Sequence, residues 1–374
     1  MAISRVLTAG LTASLLLAGT ALMPAMAAER AAEGSQAGQG SVVRADESET
    51  GASGKDSRAR SPVWALKGDL AGNLQVVTTR YEDTFAELGN RLSLGYLELV
   101  KANPGVDPWL PGDGNRITLP RQYVLPESRR EGIVINLAEY RLYYFRDGGV
   151  QVFPVGVGTE ENPSPITDAK VTMGLESPAW YPPASIRAEF DARGEYLPRM
   201  IPPGPENPLG THALVLSEEG YLIHGTNKGF GVGMQVSHGC FRMYNQDISR
   251  FVHEVAKGTP VQVVHQPVKI GMHEGEVWLE VHRAKEEYPS EEKERLWEQV
   301  SEQLARFTDS VKGLEIQRQA VEMAVDQADG IPRRIGEKVT QVASRTEPAK
   351  PESATPGVNR SGATQTESAP QQWF

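Results

Sequence analysis

Ile223-His224-Gly225-Thr226-Asn227 is followed closely by Ser237-His238-Gly239-Cys240-Phe241-Arg242, and Cys240 is the only cysteine of the chain. A thiol becomes a nucleophile near neutral pH when a base takes its proton. Two imidazoles, His224 and His238, stand close to it in sequence, among glycines that let backbone approach a substrate. Two blander readings compete. A lone cysteine is often a small buried hydrophobe. A zinc site built from His224, His238 and Cys240 would lack the fourth ligand and the paired spacings that structural zinc needs. The thiol with two histidines and adjoining glycines favours a cysteine nucleophile for acyl transfer, with no metal and no cofactor called for.

Composition narrows where such a nucleophile would work. The chain has 374 residues and a formal net charge of -10, which argues against a nucleic-acid partner. Arg5 precedes an apolar stretch from Val6 to Met23, with Leu15-Leu16-Leu17 at its centre and Ala25-Met26-Ala27 behind it. This is the pattern of a secretory signal peptide over residues 1–27, cleaved after Ala27; an uncleaved anchor helix is the alternative. No cysteine follows for lipid attachment, and no other segment is apolar enough to span a bilayer. The expected destination is an oxidising compartment outside the cytoplasm. There, a single cysteine cannot form a disulfide within the chain, and an unpaired thiol is a reactive one.

The rest of the chain divides by pattern. Residues 28–66 are rich in Ala, Gly, Ser and charge, which predicts a disordered linker. Residues 67–121 read as strand, helix, helix, strand: Val76-Val77, a helix capped by Thr84, a second helix carrying Tyr96, Leu97 and Val100, then Arg116 to Pro120. Residues 130–285 are mainly strand-like, with a hairpin from Gly132-Ile133-Val134-Ile135-Asn136-Leu137 into Arg141-Leu142-Tyr143-Tyr144-Phe145 and a short amphipathic helix from Asn245 to Val255. Over residues 289–330, Leu296, Val300, Leu304, Phe307, Val311 and Leu314 form one apolar stripe, predicting a long amphipathic helix that packs on the β domain or takes a partner. Residues 331–374, rich in Ser, Thr, Pro and Gln, predict a disordered tail.

His224-Gly225 and Ser237-His238-Gly239-Cys240-Phe241-Arg242, in that order and spacing, resemble the signature of the L,D-transpeptidase catalytic domain, the YkuD family. Asn103-Pro104-Gly105-Val106-Asp107-Pro108-Trp109, Trp180-Tyr181-Pro182-Pro183 and Pro202-Pro203-Gly204-Pro205 bring the chain nearer the periplasmic ErfK/YbiS branch. The unit over 67–121 resembles a LysM module, a binder of N-acetylglucosamine polymers; its usual Gly-Asp-Thr-Leu is Glu82-Asp83-Thr84-Phe85 here. The resemblance implies a mainly β, β-sandwich-like catalytic domain with a small βααβ LysM module and a C-terminal helix.

By the same resemblance the substrate is the peptide stem of peptidoglycan. Cys240 would attack the carbonyl of the diamino acid at stem position three, release the terminal D-alanine and hold a thioester. An amine would then resolve it, from another stem or from an outer-membrane lipoprotein. His224 is expected to be the base, oriented by the carbonyl of Gly225. His238 and Gly239 are expected to adjoin the oxyanion, Arg242 to bind a stem carboxylate, Ser237 to shape the loop and Tyr181 to line the cleft. The family's Thr/Ser-Pro-hydrophobic-Gly run is Ser164-Pro165-Ile166-Thr167 here, without the glycine. Water in place of the amine would make the same site a carboxypeptidase, and a non-catalytic wall-binding protein would have no use for the thiol and both histidines.

Overall fold

The computed structural model describes residues 61–284 and 289–339. The signal peptide, residues 28–60 of the linker and residues 340–374 of the tail lie outside the described residues.

A nine-stranded sheet dominates. Its order is Val63–Ala65, Gly149–Pro154, Arg141–Arg146, Gly132–Asn136, Pro260–Val264, Asp168–Glu176, His212–Leu216, Leu222–His224 and Phe241–Arg242. Two neighbours run parallel: Gly132–Asn136 with Pro260–Val264, and Leu222–His224 with Phe241–Arg242. The unbroken apolar run at 132–136 makes sense because that strand is covered on both faces. Ile133 and Ile135 join Phe241, Ile248 and Phe251 on one side, the last two from the helix Asn245–Glu254. Val134 points the other way and joins Tyr123, Tyr143 and Phe145, as alternation along a strand requires.

Residues 75–119 fold as the expected strand-helix-helix-strand unit. Gln75–Thr78 pairs antiparallel with Arg116–Leu119, and the helices are Phe85–Leu92 and Tyr96–Ala102. The Thr84 hydroxyl accepts from Glu87 N at 3.2 Å and caps the first helix. Asn103 ends the second, donating to the carbonyls of Leu99 and Thr118 and accepting from Thr118 N. This unit is fused to the large sheet rather than tethered to it: Ser93 donates to Asp247 at 2.6 Å, and the Tyr244 hydroxyl donates to the Leu94 carbonyl at 3.1 Å.

Several boundaries differ from those read in the sequence. The linker expected over 28–66 gives way by Val63–Ala65, which forms an edge strand on Gly149–Gln151; three residues with an exposed pattern carry too little periodicity to register as a strand. The single helix expected over 289–330 is broken. It runs Ser290–Ser310, Gly313 turns the chain at φ +74°, Leu314–Ile316 is a strand, and a second helix spans Arg318–Gln327. Arg333–Lys338, expected in the disordered tail, is also a strand. These segments form a separate four-stranded sheet with Val268–His273 and Glu276–Val281, which removes both from the catalytic domain expected over 130–285. The apolar stripe of Leu296 and Val300 does find its cover, against Val277, Leu279, Val325 and Ile335 of this unit.

The three units meet at a buried cluster of charges. The Arg141 guanidinium faces Glu98 at 2.7 Å, Glu139 at 2.8 Å and Glu280 at 2.5 Å. Lys269 Nζ lies 2.8 Å from Glu139 and 3.1 Å from Glu280, and His282 Nε2 lies 2.7 Å from Glu280. Burial alone would raise both fully buried carboxyls; Lys269 and Arg141 instead hold Glu139 and Glu280 below the ordinary range. Glu139, Glu280 and His282 have the spacing of a metal site, but the two cations already occupy the carboxylates.

Candidate active site

Parallel pairing of the last two strands of the large sheet builds the site. Ile223 lies beside Phe241 and His224 beside Arg242, so Cys240, one residue before Phe241, sits next to the strand that ends in His224. Cys240 is partly exposed, its thiol donating to the Gly220 carbonyl at 3.6 Å. His224 is buried, with Nδ1 2.6 Å from the Gly225 carbonyl. A carbonyl only accepts, so Nδ1 carries the proton and Nε2 keeps the lone pair. Burial, only partly countered by that bond, pushes His224 down to about 4, and Arg242 adds to the shift. Burial likewise pushes the Cys240 thiol up, against the pull of the Leu222 amide and Arg242. Both groups therefore rest neutral.

The turn before the thiol is held from two sides. Ser237 donates to the Cys240 carbonyl at 2.5 Å and accepts from Gly239 N at 3.1 Å. Ser164, in the run that departs from the family pattern, accepts from Gly158 N at 2.9 Å and donates to the Gly239 carbonyl at 2.8 Å. Gly239 has φ +102°, and a Cβ there would come within 3.0 Å of the Tyr221 ring and 3.3 Å of the Pro163 carbonyl, so glycine is required. The Gly239 amide expected at the oxyanion is engaged by Ser237 in this conformation; serving there requires it to release that bond.

These residues open into a cavity of about 1140 Å³. One wall is the excursion 177–211 between the paired strands Asp168–Glu176 and His212–Leu216, which contributes Trp180, Tyr181, Ile186, Phe190 and Ile201. Tyr181 is thus at the cavity and 71% exposed. The excursion is ordered by Asn207, which is fully buried and donates to the carbonyls of Pro178 and Pro202. Its helix Ala184–Ala192 buries no residue, yet Glu189 reaches the His238 ring at 3.0 Å. His238 therefore faces the excursion. Arg242 lines the cavity, while its Nε is buried and has no hydrogen-bond partner among the described residues.

Sequence reading named Cys240, His224, Gly225, His238, Gly239, Ser237, Arg242 and Tyr181, and of these the fold sets Cys240, His224, His238, Ser237, Arg242 and Tyr181 around the one cavity. It missed Asn245 and gave Ser164 no role. Asn245 looked like an ordinary helix start, and its bonds to residues 211 and 226 come only from the fold.

Residues 130–263 match the L,D-transpeptidase catalytic domain, YkuD. The chain is 39% identical over 262 residues to the probable L,D-transpeptidase ErfK/SrfK of Escherichia coli, covering 68% of this chain and 81% of that one. It is 42% identical to the probable L,D-transpeptidases YcfS and YbiS of the same organism, over 52% and 57% of this chain and 63% and 71% of theirs. A thiol beside the strand of a buried imidazole, in a chain so similar over most of its length, has one assignment: the chain belongs to the L,D-transpeptidase family.

Proposed function

We propose that the protein is a cysteine L,D-transpeptidase acting on the tetrapeptide stems of peptidoglycan in the periplasm. The observation that carries this is the placement of Cys240 beside the His224 strand, in a cavity that Arg242 also lines. As the thiol sulfur attacks the stem carbonyl, its proton passes to His224 Nε2. When the tetrahedral intermediate collapses, the carbon–nitrogen bond breaks and that proton leaves on the D-alanine amine. The thioester is then attacked by an acceptor amine, whose proton His224 takes and returns to the sulfur. Arg242 binds the donor's carboxylate, and Tyr181 walls the cleft.

The acceptor is the diamino acid of another stem, giving a 3-3 crosslink, or a lysine of an outer-membrane lipoprotein. The 75–119 unit resembles a LysM module and on this reading binds the glycan of the same wall. Its bonds to Asp247 and Arg141 make it a fixed arm of the enzyme. Incubation with disaccharide-tetrapeptide should leave a disaccharide-tripeptide acyl mass on the wild type and none on Cys240→Ala. Adding a second stem, a lysine-ended peptide or buffer alone then separates crosslinking, attachment and hydrolysis. A wild-type chain that gains no acyl mass would sink the enzymatic reading.

A further inference from the structure

Asn245 opens the helix Asn245–Glu254, yet its side chain turns back to the residues after His224. Its Oδ1 accepts from Thr226 N at 3.1 Å and from Thr211 N at 3.1 Å, and its Nδ2 donates to the Thr226 carbonyl at 2.8 Å. The Thr226 N–H and the Gly225 C=O belong to one planar trans peptide group, so they point in opposite directions. Holding the N–H therefore aims the C=O. The atom so aimed is the oxygen 2.6 Å from His224 Nδ1. The approach is close enough that a Cβ on Gly225 or on Gly210 would stand 2.1 Å from Asn245 Oδ1, so both positions need glycine.

We propose that Asn245 is the positioning residue of the catalytic base: by pinning the 225–226 peptide it sets which nitrogen of His224 carries the proton. It touches neither thiol nor substrate and acts only through that peptide. Its second donor, Thr211 N, lies at the C-terminal root of the 177–211 excursion, where Ser177 N also donates to the Thr211 carbonyl at 2.8 Å. One amide oxygen thus ties the cavity wall and the base to a common point. A carbonyl left free to rotate would let His224 take the other tautomer, whose Nε2 bears a proton and cannot receive the thiol's.

The inference rests on His224 being the base, and the test separates the two. In the full chain, Asn245→Leu keeps the volume and removes every bond; Asn245→Ala serves if leucine does not fit. Asn245→Asp keeps an oxygen for Thr226 N but has no donor for the Thr226 carbonyl. Nitrogen-15 NMR of His224 reads the tautomer without turnover, and acyl-enzyme formation from a tetrapeptide stem is timed by intact mass. The apolar variant should lose the pure Nδ1–H signature and acylate about ten- to a hundredfold more slowly at saturating stem. That is short of the roughly 10²- to 10⁴-fold for removing a general base outright. Asn245→Asp should keep the tautomer. A folded apolar variant with wild-type tautomer overturns the proposal, as does loss of the tautomer in Asn245→Asp. A wild-type chain that never acylates would instead overturn the reading of the site while leaving the tautomer result intact.

Discussion

A neutral resting pair makes a definite demand on the pH dependence of Cys240. The thiol is pushed above an ordinary thiol's 9.0 by burial, and His224 is pushed down to about 4. Moving the proton from sulfur to Nε2 then spans at least five pH units, about 7 kcal/mol at 1.36 kcal/mol per unit. Turnover near 1 s⁻¹ allows a barrier of about 17 kcal/mol, so this step fits within catalysis when coupled to attack. It does not permit a standing thiolate. At pH 7 less than about one thiol in a hundred is ionised. Alkylation by iodoacetamide, followed by intact mass, should therefore climb about tenfold per pH unit from 6 to 8 with no plateau. His224→Ala should leave that slope unchanged while slowing acylation by stem about 10²- to 10⁴-fold. For the enzymatic reaction the base must be neutral; because its pKa is lowered, the acid limb of kcat/KM should fall near pH 4 rather than 6.5. A flat alkylation rate between pH 5 and 8 would show a thiolate–imidazolium pair and refute the reasoning.

Three further perturbations test the supports. Ser164→Ala strips the Gly158 amide and the Gly239 carbonyl of their shared partner; unfolding should become easier by about 1–3 kcal/mol, and acylation should slow through the unpinned Gly239 turn. Equal stability and rate would remove Ser164 from the site. Arg141→Met leaves Glu139 and Glu280 buried with Lys269 as their remaining full cation, so about 3–5 kcal/mol of stability should be lost, a drop of several degrees or more in Tm. In the wild type these carboxyls titrate below 4.5, so their contribution is present above that pH and is lost as pH falls through their lowered folded values. Thermal melts from pH 7 to 3 should show this loss blunted in Arg141→Met. His238→Ala breaks only a half-exposed contact with Glu189 and should cost under about 1 kcal/mol in urea unfolding, leaving the alkylation slope alone. A His238 variant that abolished acylation while His224→Ala did not would reverse their roles.

The large sheet and the thiol were legible because their signals are local. Strand 132–136 announces itself by an apolar run, and the two histidines, Gly239 and Cys240 lie within a short span. The C-terminal unit was not legible, because its sheet joins residues 268–281 to 314–338 and a three-residue strand such as Leu314–Ile316 carries no period of its own. The continuation of the apolar stripe to Val311 and Leu314 even argued for helix; Gly313, with its left-handed φ, breaks it. Asn245 and Ser164 escaped for a related reason. Each is a small polar residue whose meaning lies in backbone groups it meets across the fold, and no spacing rule marks such a meeting. Nothing local in the sequence marks Arg141 and Lys269 as buried; Glu98, Glu139 and Glu280 surround them only in the fold.

The buried cluster of charges also constrains how the chain can be made. Glu98, Arg141, Lys269 and Glu280 come from well-separated positions, and the last of them arrives about three-quarters of the way along the sequence. During synthesis or threading from the N-terminus, Arg141 and Glu139 have no Lys269 or Glu280 to meet, and closing the sheet around them then would strand charge in an apolar interior. The large sheet also needs Pro260–Val264 as a central strand beside Gly132–Asn136, a pairing more than a hundred residues apart. Both features postpone the last stage of folding until residue 282 is free. Long-range pairing of this kind predicts that the large sheet closes late, after residues 260–282 are available, rather than maturing strand by strand along the chain.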